Sequence, residues 1–347
     1  MIDFRGFKKV LKAFILIVCV SVTFTPSFSI YSKEEMEIFE FLRIPNDAKC
    51  ASLSGCTIGM IGNPFAIFAN PAALQTDVKV AGATYFRYVA DIQGGCGVYV
   101  IPALGGTFGT GISYWNYGAI PKMDKHRKEL GTFTPQSLTP IVGYSKNLKG
   151  SQIGVSSKII YQSIDEYMGL AVAGDIGYLF YPKAYPNIIV GMTIQNVGMK
   201  LRKFYTFYEN LPMFARIGCT YSFNKLLQLS AEVELPEIEL ILGVEWKVSK
   251  ILAIRGGYYS WGRDLRVGGD LDIFAGKSLG IGIKTQRLHL DYAVTPMVNL
   301  GIVHRISIVY PFEKVKEEPK PEEKLKPEEL EEKIPEEKSP EEGSNLE

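Results

Sequence analysis

The sequence predicts an all-β fold: a transmembrane antiparallel β-barrel of about fourteen strands, with a short N-terminal segment before it and a disordered C-terminal tail after it. Three observations carry this expectation. Across residues 78–312, apolar and polar residues alternate with period two in segments of about ten residues, the length of a tilted membrane-crossing strand. Glycine (34 of 347 residues) exceeds its usual ~7 %, and Tyr and Phe (19 each) are abundant, an all-β flavour. Outside the N-terminus no apolar run approaches the ~20 residues of a membrane helix.

Residues 1–29 read as an export signal. Arg5, Lys8, Lys9 and Lys12 precede an apolar stretch that Pro26 breaks, and Ser27 and Ser29 supply the small residues of a cleavage site. A retained anchor is the weaker reading because the apolar run is short. Cys19 lacks the small preceding residue of a lipoprotein signal, since Val18 stands there. The remaining cysteines, Cys50, Cys56, Cys96 and Cys219, are not in CxxC spacing, which disfavours zinc. In an oxidising compartment a bridge between Cys50 and Cys56 would close a short loop; the alternative is two small buried residues.

The strands are expected at 78–88, 94–101, 107–117, 137–146, 151–163, 169–181, 187–197, 212–223, 226–235, 239–248, 251–260, 278–286, 288–295 and 304–312, with 264–274 as a doubtful extra or a hairpin loop. In 226–235, Leu227, Leu229, Ala231, Val233 and Leu235 oppose Gln228, Ser230, Glu232 and Glu234. A soluble sandwich or propeller would hide the apolar face; a barrel turns it to lipid. The barrel is preferred for three reasons. Charged inward positions cluster on consecutive strands. Aromatics at strand ends (Tyr114, Trp115, Tyr117, Tyr178, Phe180, Tyr181, Tyr258, Tyr259 and Trp261) suit interfacial girdles. The last strand alternates and ends in spaced aromatics.

Residues 313–347 hold 14 Glu and 7 Lys, and 319–340 has five prolines with few large apolar residues. Such a segment cannot bury enough surface to offset its ordering entropy, so a disordered, extended periplasmic tail is expected. The middle of the chain, 30–312, holds 27 basic and 22 acidic residues. That balance, with a total of +1, excludes a generally basic nucleic-acid binder.

Chemistry is sparse. The three histidines, His126, His289 and His304, form no HExxH or close pair, and no GxSxG occurs. Gly276-Lys277-Ser278 ends like a phosphate loop, but Leu271 stands where the first glycine belongs. No enzyme, cofactor or metal site is expected. The run 124–129 reads as a solvated loop, and the aromatic run 204–208 as loop packing, a substrate mouth or a partner grip. Gly105, Gly106, Gly109 and Gly111 are read as sites of bending or close packing. Glu232, Glu234, Glu239, Glu245, Lys247, Arg255, Asp291 and Arg305 form a candidate lumen network, which stiffens the interior or lines a path.

Residues 41–74 read FLRIPNDAKCASLSGCTIGMIGNPFAIFANPAAL. This stretch resembles the N-terminal motif of the PorV/PorQ family, with Asn70, Pro71 and Ala72 in its closing part. The segment 194–198 around Asn196 resembles a mid-barrel strand end of that family. Asp291-Tyr292 and His304-Arg305 resemble its closing motifs. The resemblance spans about residues 38–312 and departs at Ala73, where Gly is usual, at Val303, where Thr is common, and in the tail. It implies a FadL-type barrel of fourteen strands in the outer membrane, with residues 30–77 as a short N-terminal hatch segment inside or under the barrel. It also implies a non-enzymatic role in protein secretion of type IX, with secreted cargo proteins or secretion components as partners. The alternative it leaves open is a FadL-like transporter of a small hydrophobic ligand.

Overall fold

The computed structural model describes residues 36–313, apart from 57, 60, 203–208 and 225. The export signal, the tail from 314 onward and the aromatic run 204–208 lie outside the described residues.

Fourteen antiparallel strands close into one barrel. They are β1 (Val80–Arg87), β2 (Gln93–Ala103), β3 (Gly106–Asn116), β4 (Gln136–Leu148), β5 (Ser151–Ile164), β6 (Tyr167–Phe180), β7 (Ile188–Arg202), β8 (Phe214–Ser222), β9 (Leu227–Leu235), β10 (Glu239–Lys247), β11 (Leu252–Tyr259), β12 (Lys277–Lys284), β13 (His289–Pro296) and β14 (Ile302–Pro311). Each strand pairs with its sequence neighbours, and β14 pairs with β1, with Arg305 opposite Phe86. Closure leaves no continuous free edge, the condition that hydrocarbon imposes on a spanning sheet. Each of the fourteen expected strands is present.

Alternation decides the two faces. In β3, Phe108, Ile112 and Tyr114 face outward and are exposed, while Gly109, Gly111, Ser113 and Trp115 are buried inside. In β14, Ile306, Ile308 and Tyr310 face outward, and Arg305, Ser307 and Val309 face inward. Exposed Val155, Ile159, Ile176, Met192, Val244, Ile254 and Ile281 extend the apolar outer band around the wall. A continuous apolar belt of that kind is a lipid-facing surface rather than a solvated one.

Four of the aromatics expected in girdles do not face lipid. Trp115 and Tyr117 stack inside at 6.4 Å, Tyr259 donates to Glu234, and Tyr181 donates to Gln152. Strand-end position had suggested a girdle, but the pleat puts Trp115 and Tyr259 on the inner face, where hatch and lumen groups receive them. The segment 264–274 is not a strand: it belongs to two 3₁₀ turns, Ser260–Leu265 and Asp270–Phe274. The run 124–129 forms the tip of a small hairpin, Ile120–Met123 with Glu129–Phe133, that the alternation did not reveal. Gly105 sits in a tight turn with φ +70 rather than inside a strand.

One rim carries short turns, such as 104–105, 149–150, 223–226 and 285–288, and the chain enters and leaves the barrel there. The opposite rim carries the long connections 117–135 and 260–276. Residues 38–79 run through the lumen between the two rims. Phe39 and Phe41 pack at the long-loop end against Phe86, Trp115 and Ile160. Phe65, Ile67 and Leu74 pack toward the short-turn end against Val80, Val98, Val100 and Val309. One short helix, α1 (Ala48–Ser52), interrupts this path, capped by Asp47, whose carboxylate accepts from the Cys50 amide at 3.1 Å.

Candidate functional site

The inner segment is seated by two means. The first is close packing against glycines. A Cβ at Gly154 would land on the Pro71–Ala72 backbone, and one at Gly257 on the Leu53–Ser54 backbone. A Cβ at Gly109 would lie 2.8 Å from Leu74, and one at Gly82 2.8 Å from Phe65. The lumen-facing glycines are therefore seats where the wall meets the segment backbone to surface. Asn70 stands at one seat: its Oδ1 accepts from the Ala72 amide at 3.0 Å, and its Nδ2 donates to the Ile58 carbonyl at 2.8 Å. Pro71 fixes the 3₁₀ turn that follows, and Ala72 is fully buried against the wall. Any larger side chain at 72 would strike the wall.

The second means is ionic. Glu234, fully buried on β9, accepts from Arg216 of β8 at 2.6 Å, from Arg43 of the inner segment at 2.5 Å and from the Tyr259 hydroxyl at 2.9 Å. Glu245 of β10 accepts from Arg255 of β11 at 2.5 Å, with Lys49 of the segment 3.7 Å away. Arg255 also donates to Asp291 of β13 at 2.5 Å. Glu232 accepts from the Ile58 amide at 2.6 Å. Across the lumen Lys158 pairs with Asp175 at 2.8 Å. The structure thus brings Glu232, Glu234, Glu245, Arg255 and Asp291 into one charged inner wall. Glu239 stands at its rim, bonded by Ser260, with Arg263 at 3.8 Å.

The other sequence candidates divide. Lys247 points inward but is half-exposed and makes no ion pair among the described residues. His304 and Tyr292 lie on the outer face, where the Tyr292 hydroxyl and His304 Nδ1 are 2.8 Å apart. Their pairing follows from register, since β13 and β14 place 292 and 304 on the same face. Asn196 sits in a bulge of β7 in the left-handed region (φ 61), and its amide donates to Asp175 at 2.9 Å. Cys50 and Cys56 are separate buried thiols, not a bridge. Burial pushes the Asp47 carboxyl upward, opposed by the Cys50 amide and Asn63. Sequence reasoning missed Arg43, Lys49 and Arg216, and the pair Lys158–Asp175. Inward parity on β5, β6 and β8 marks Lys158, Asp175 and Arg216; nothing in the irregular inner segment marks Arg43 or Lys49.

Two concavities stand out. The larger, about 790 Å³, lies on the outer wall among Leu229, Leu242, Val244 and Leu279, beneath Ile273 and Phe274. It faces the bilayer and is part of the lipid-facing surface. The second, about 530 Å³, opens at the long-loop rim between the inner segment and the wall. Ile44, Pro45, Tyr88, Trp261, Leu265 and Met297 give it an apolar body, and Arg43 and Arg305 give it cationic groups. This second pocket is the candidate functional site. It is concave and mostly apolar, as small-molecule sites are, with Glu40, Arg43, Glu237 and Arg305 as its charged lining. Among the described residues no group of His, Cys, Asp and Glu is arranged to hold a metal ion.

No protein-family model and no curated protein matches the chain. Solved structures do. The toluene transporter TodX of P. putida superposes with a TM-score of 0.55 at 11 % identity, covering 78 % of this chain and 99 % of TodX. The toluene transporter TbuX of Ralstonia pickettii gives 0.53 at 12 % identity, covering 77 % and 98 %. A FadL homologue of Pseudomonas aeruginosa gives 0.50 at 14 % identity, with the same coverages. At such identities the likeness is one of fold: the fourteen-strand barrel of this chain is similar to the barrels of these structures.

Proposed function

We propose that the protein is a non-enzymatic outer-membrane channel that carries small hydrophobic compounds inward across that membrane. The observation that supports this most is the mostly apolar 530 Å³ pocket at the long-loop rim, walled on one side by the inner segment of a barrel whose structural neighbours include toluene transporters. A compound held there meets apolar side chains on the wall and on the segment that fills the lumen, so movement of that segment is the step that would release it. In this reading the short-turn rim is periplasmic, residues 1–29 are the cleaved signal, 30–77 the hatch and 313–347 a periplasmic tail.

The secretion reading, in which the barrel holds exported cargo or scaffolds a secretion complex, rests on the short sequence motifs alone. Asn70, Pro71, Ala72 and Asn196 carry those motifs, and in the structure they hold internal turns and a bulge, which accounts for them without a partner. The fold neighbours favour transport.

The test is uptake of radiolabelled toluene by vesicles containing the full-length protein. Uptake faster than in protein-free vesicles, slowed by Leu265→Trp and Met297→Trp, is expected, because both side chains line the pocket and the larger ring would fill it. Uptake no faster than in empty vesicles would refute the proposal.

A further inference from the structure

The two rims of the barrel carry charge differently. The six connections of the short-turn rim, 104–105, 149–150, 181–187, 223–226, 248–251 and 285–288, hold five Lys and Arg and no Asp or Glu. The seven connections of the opposite rim, 88–92, 117–135, 165–166, 203–213, 236–238, 260–276 and 297–301, hold seven Lys and Arg against ten Asp and Glu. Signs mix on one rim and separate on the other. Strand ends add to the difference. Lys79, Lys146, Lys149, Lys183, Lys250 and Arg287, all at the short-turn rim, are exposed, and none makes an ion pair among the described residues. Outside the lumen the described acids at this rim are Asp77 and Glu313, where the chain enters and leaves the barrel. An exposed collar of one sign attracts a partner of the other.

The place of these cations on the wall points to the kind of partner. Lys79 extends β1: the Phe312 amide donates to its carbonyl at 2.9 Å, and alternation puts both side chains on the outer face. Lys146 follows Val142 and Tyr144 on the outer face of β4. Around this end the outer wall exposes Tyr99, Phe180, Trp246, Tyr310 and Phe312, with the Tyr99 and Phe312 rings edge-on at 6.1 Å. Aromatic rings at the end of an apolar wall mark the bilayer interface. Lysine stems run along such a wall and set their ammonium groups at headgroup level. Lys149 sits in a two-residue turn, and Lys250 and Arg287 in four-residue turns, too short to carry a charge far beyond that level. We propose that the short-turn rim is a collar that binds the phosphate groups of anionic phospholipids in the leaflet it meets. Ammonium and guanidinium groups donate to phosphate oxygens, which only accept. The inference rests on the membrane-spanning barrel and is independent of what the channel carries.

The experiment is electron spin resonance of the full-length protein in phosphatidylcholine vesicles carrying a trace of spin-labelled phosphatidylglycerol or spin-labelled phosphatidylcholine. It reads the fraction of label held at the protein surface. Phosphatidylglycerol is expected to associate about fivefold more strongly than phosphatidylcholine, the ratio that one cation near the surface supplies. Molar salt should bring the ratio toward unity by screening. So should Lys79→Gln, Lys146→Gln, Lys149→Gln, Lys183→Gln, Lys250→Gln and Arg287→Gln made together. On the opposite rim, Lys125→Gln, Arg127→Gln and Lys128→Gln made together should leave it unchanged. Equal association of the two lipids with the wild type overturns the proposal. So does an undiminished preference in the short-turn variant, or an equal loss in the opposite-rim variant. No lipid preference, together with retention on immobilised polyglutamate that the short-turn variant loses, would assign the rim to an acidic polypeptide and also overturn it. If the sixfold variant does not fold, as read from heat-modified gel mobility, its two halves decide instead: Lys79→Gln, Lys146→Gln and Lys149→Gln in one, Lys183→Gln, Lys250→Gln and Arg287→Gln in the other. Each should lose part of the preference, and an undiminished preference in both overturns the proposal.

Discussion

The two sides of the lumen hold the same inner segment by different mixtures of contact: glycine seats occur on both, Gly154 on one and Gly257 on the other, whereas the ion pairs to the segment lie on one. Along β2–β6 the wall offers glycines, Ser137, Ser145 and apolar side chains, and the segment meets it with Phe65, Ile67, Pro71, Ala72 and Leu74. Contact there is close, Ser145 donates to the Ala72 carbonyl, and the segment's own turns satisfy part of its backbone. Along β8–β13 the wall offers Glu232, Glu234, Glu245 and Arg255, and the segment answers with the Ile58 amide, Arg43 and Lys49. The 530 Å³ pocket lies beside the ionic sector, where Arg43 and Tyr259 touch both the pocket and Glu234. Close-packed contacts tolerate little displacement, whereas ion pairs can exchange partners. In the transport reading, the proposed pocket therefore borders the sector that ion pairs hold.

Three substitutions break this comparison; hydrogen exchange along the inner segment reads the first two, and thermal unfolding reads the third. The largest effect is expected from Glu234→Gln, which removes the carboxylate that Arg43 and Arg216 share. Breaking a buried pair in this way costs about 3–5 kcal/mol. Exchange should accelerate at 38–56 far more than at 64–74; uniform acceleration would show that the sectors are not separately held. Gly154→Val comes next. Its side chain meets the Pro71–Ala72 backbone, and overpacking of that kind costs about 1–3 kcal/mol. Here 64–74 should loosen while 38–53 stays protected, and the opposite pattern would contradict the packing assignment. Asn70→Ala is the smallest. It removes a cap bond and the bond to Ile58, for about 0.5–2 kcal/mol. A thermal midpoint unchanged within error would show that the turn holds without its cap.

The strands were legible because a barrel in lipid imposes a strict period of two along each one. Glu232, Glu234, Glu245 and Arg255 could be placed on the inner face for the same reason. Parity failed where it was applied loosely: Trp115 and Tyr259 stand at strand ends, but their inner-face positions direct them to the lumen. It had no purchase on the inner segment, whose 3₁₀ turns and single helical turn follow no regular spacing. Arg43 and Lys49 therefore gave no sign of their role. The pair Lys158–Asp175 lay within reach of the parity argument, but the two residues are far from any other charge in sequence and were passed over.

By itself, the sequence indicated about fourteen strands and the inner and outer positions along them, because alternation is a local property written residue by residue. Tertiary structure decided what the lumen contains and which charge within it is left over. Arg216, Arg255 and Arg305 look alike in sequence, each an inward arginine on an alternating strand. Whether a carboxylate reaches such a group depends on shear between strands and on the path of the inner segment, distances that no local pattern encodes. Two of the three are neutralised across the wall, and Arg305 alone of them faces the pocket without a counter-charge among the described residues.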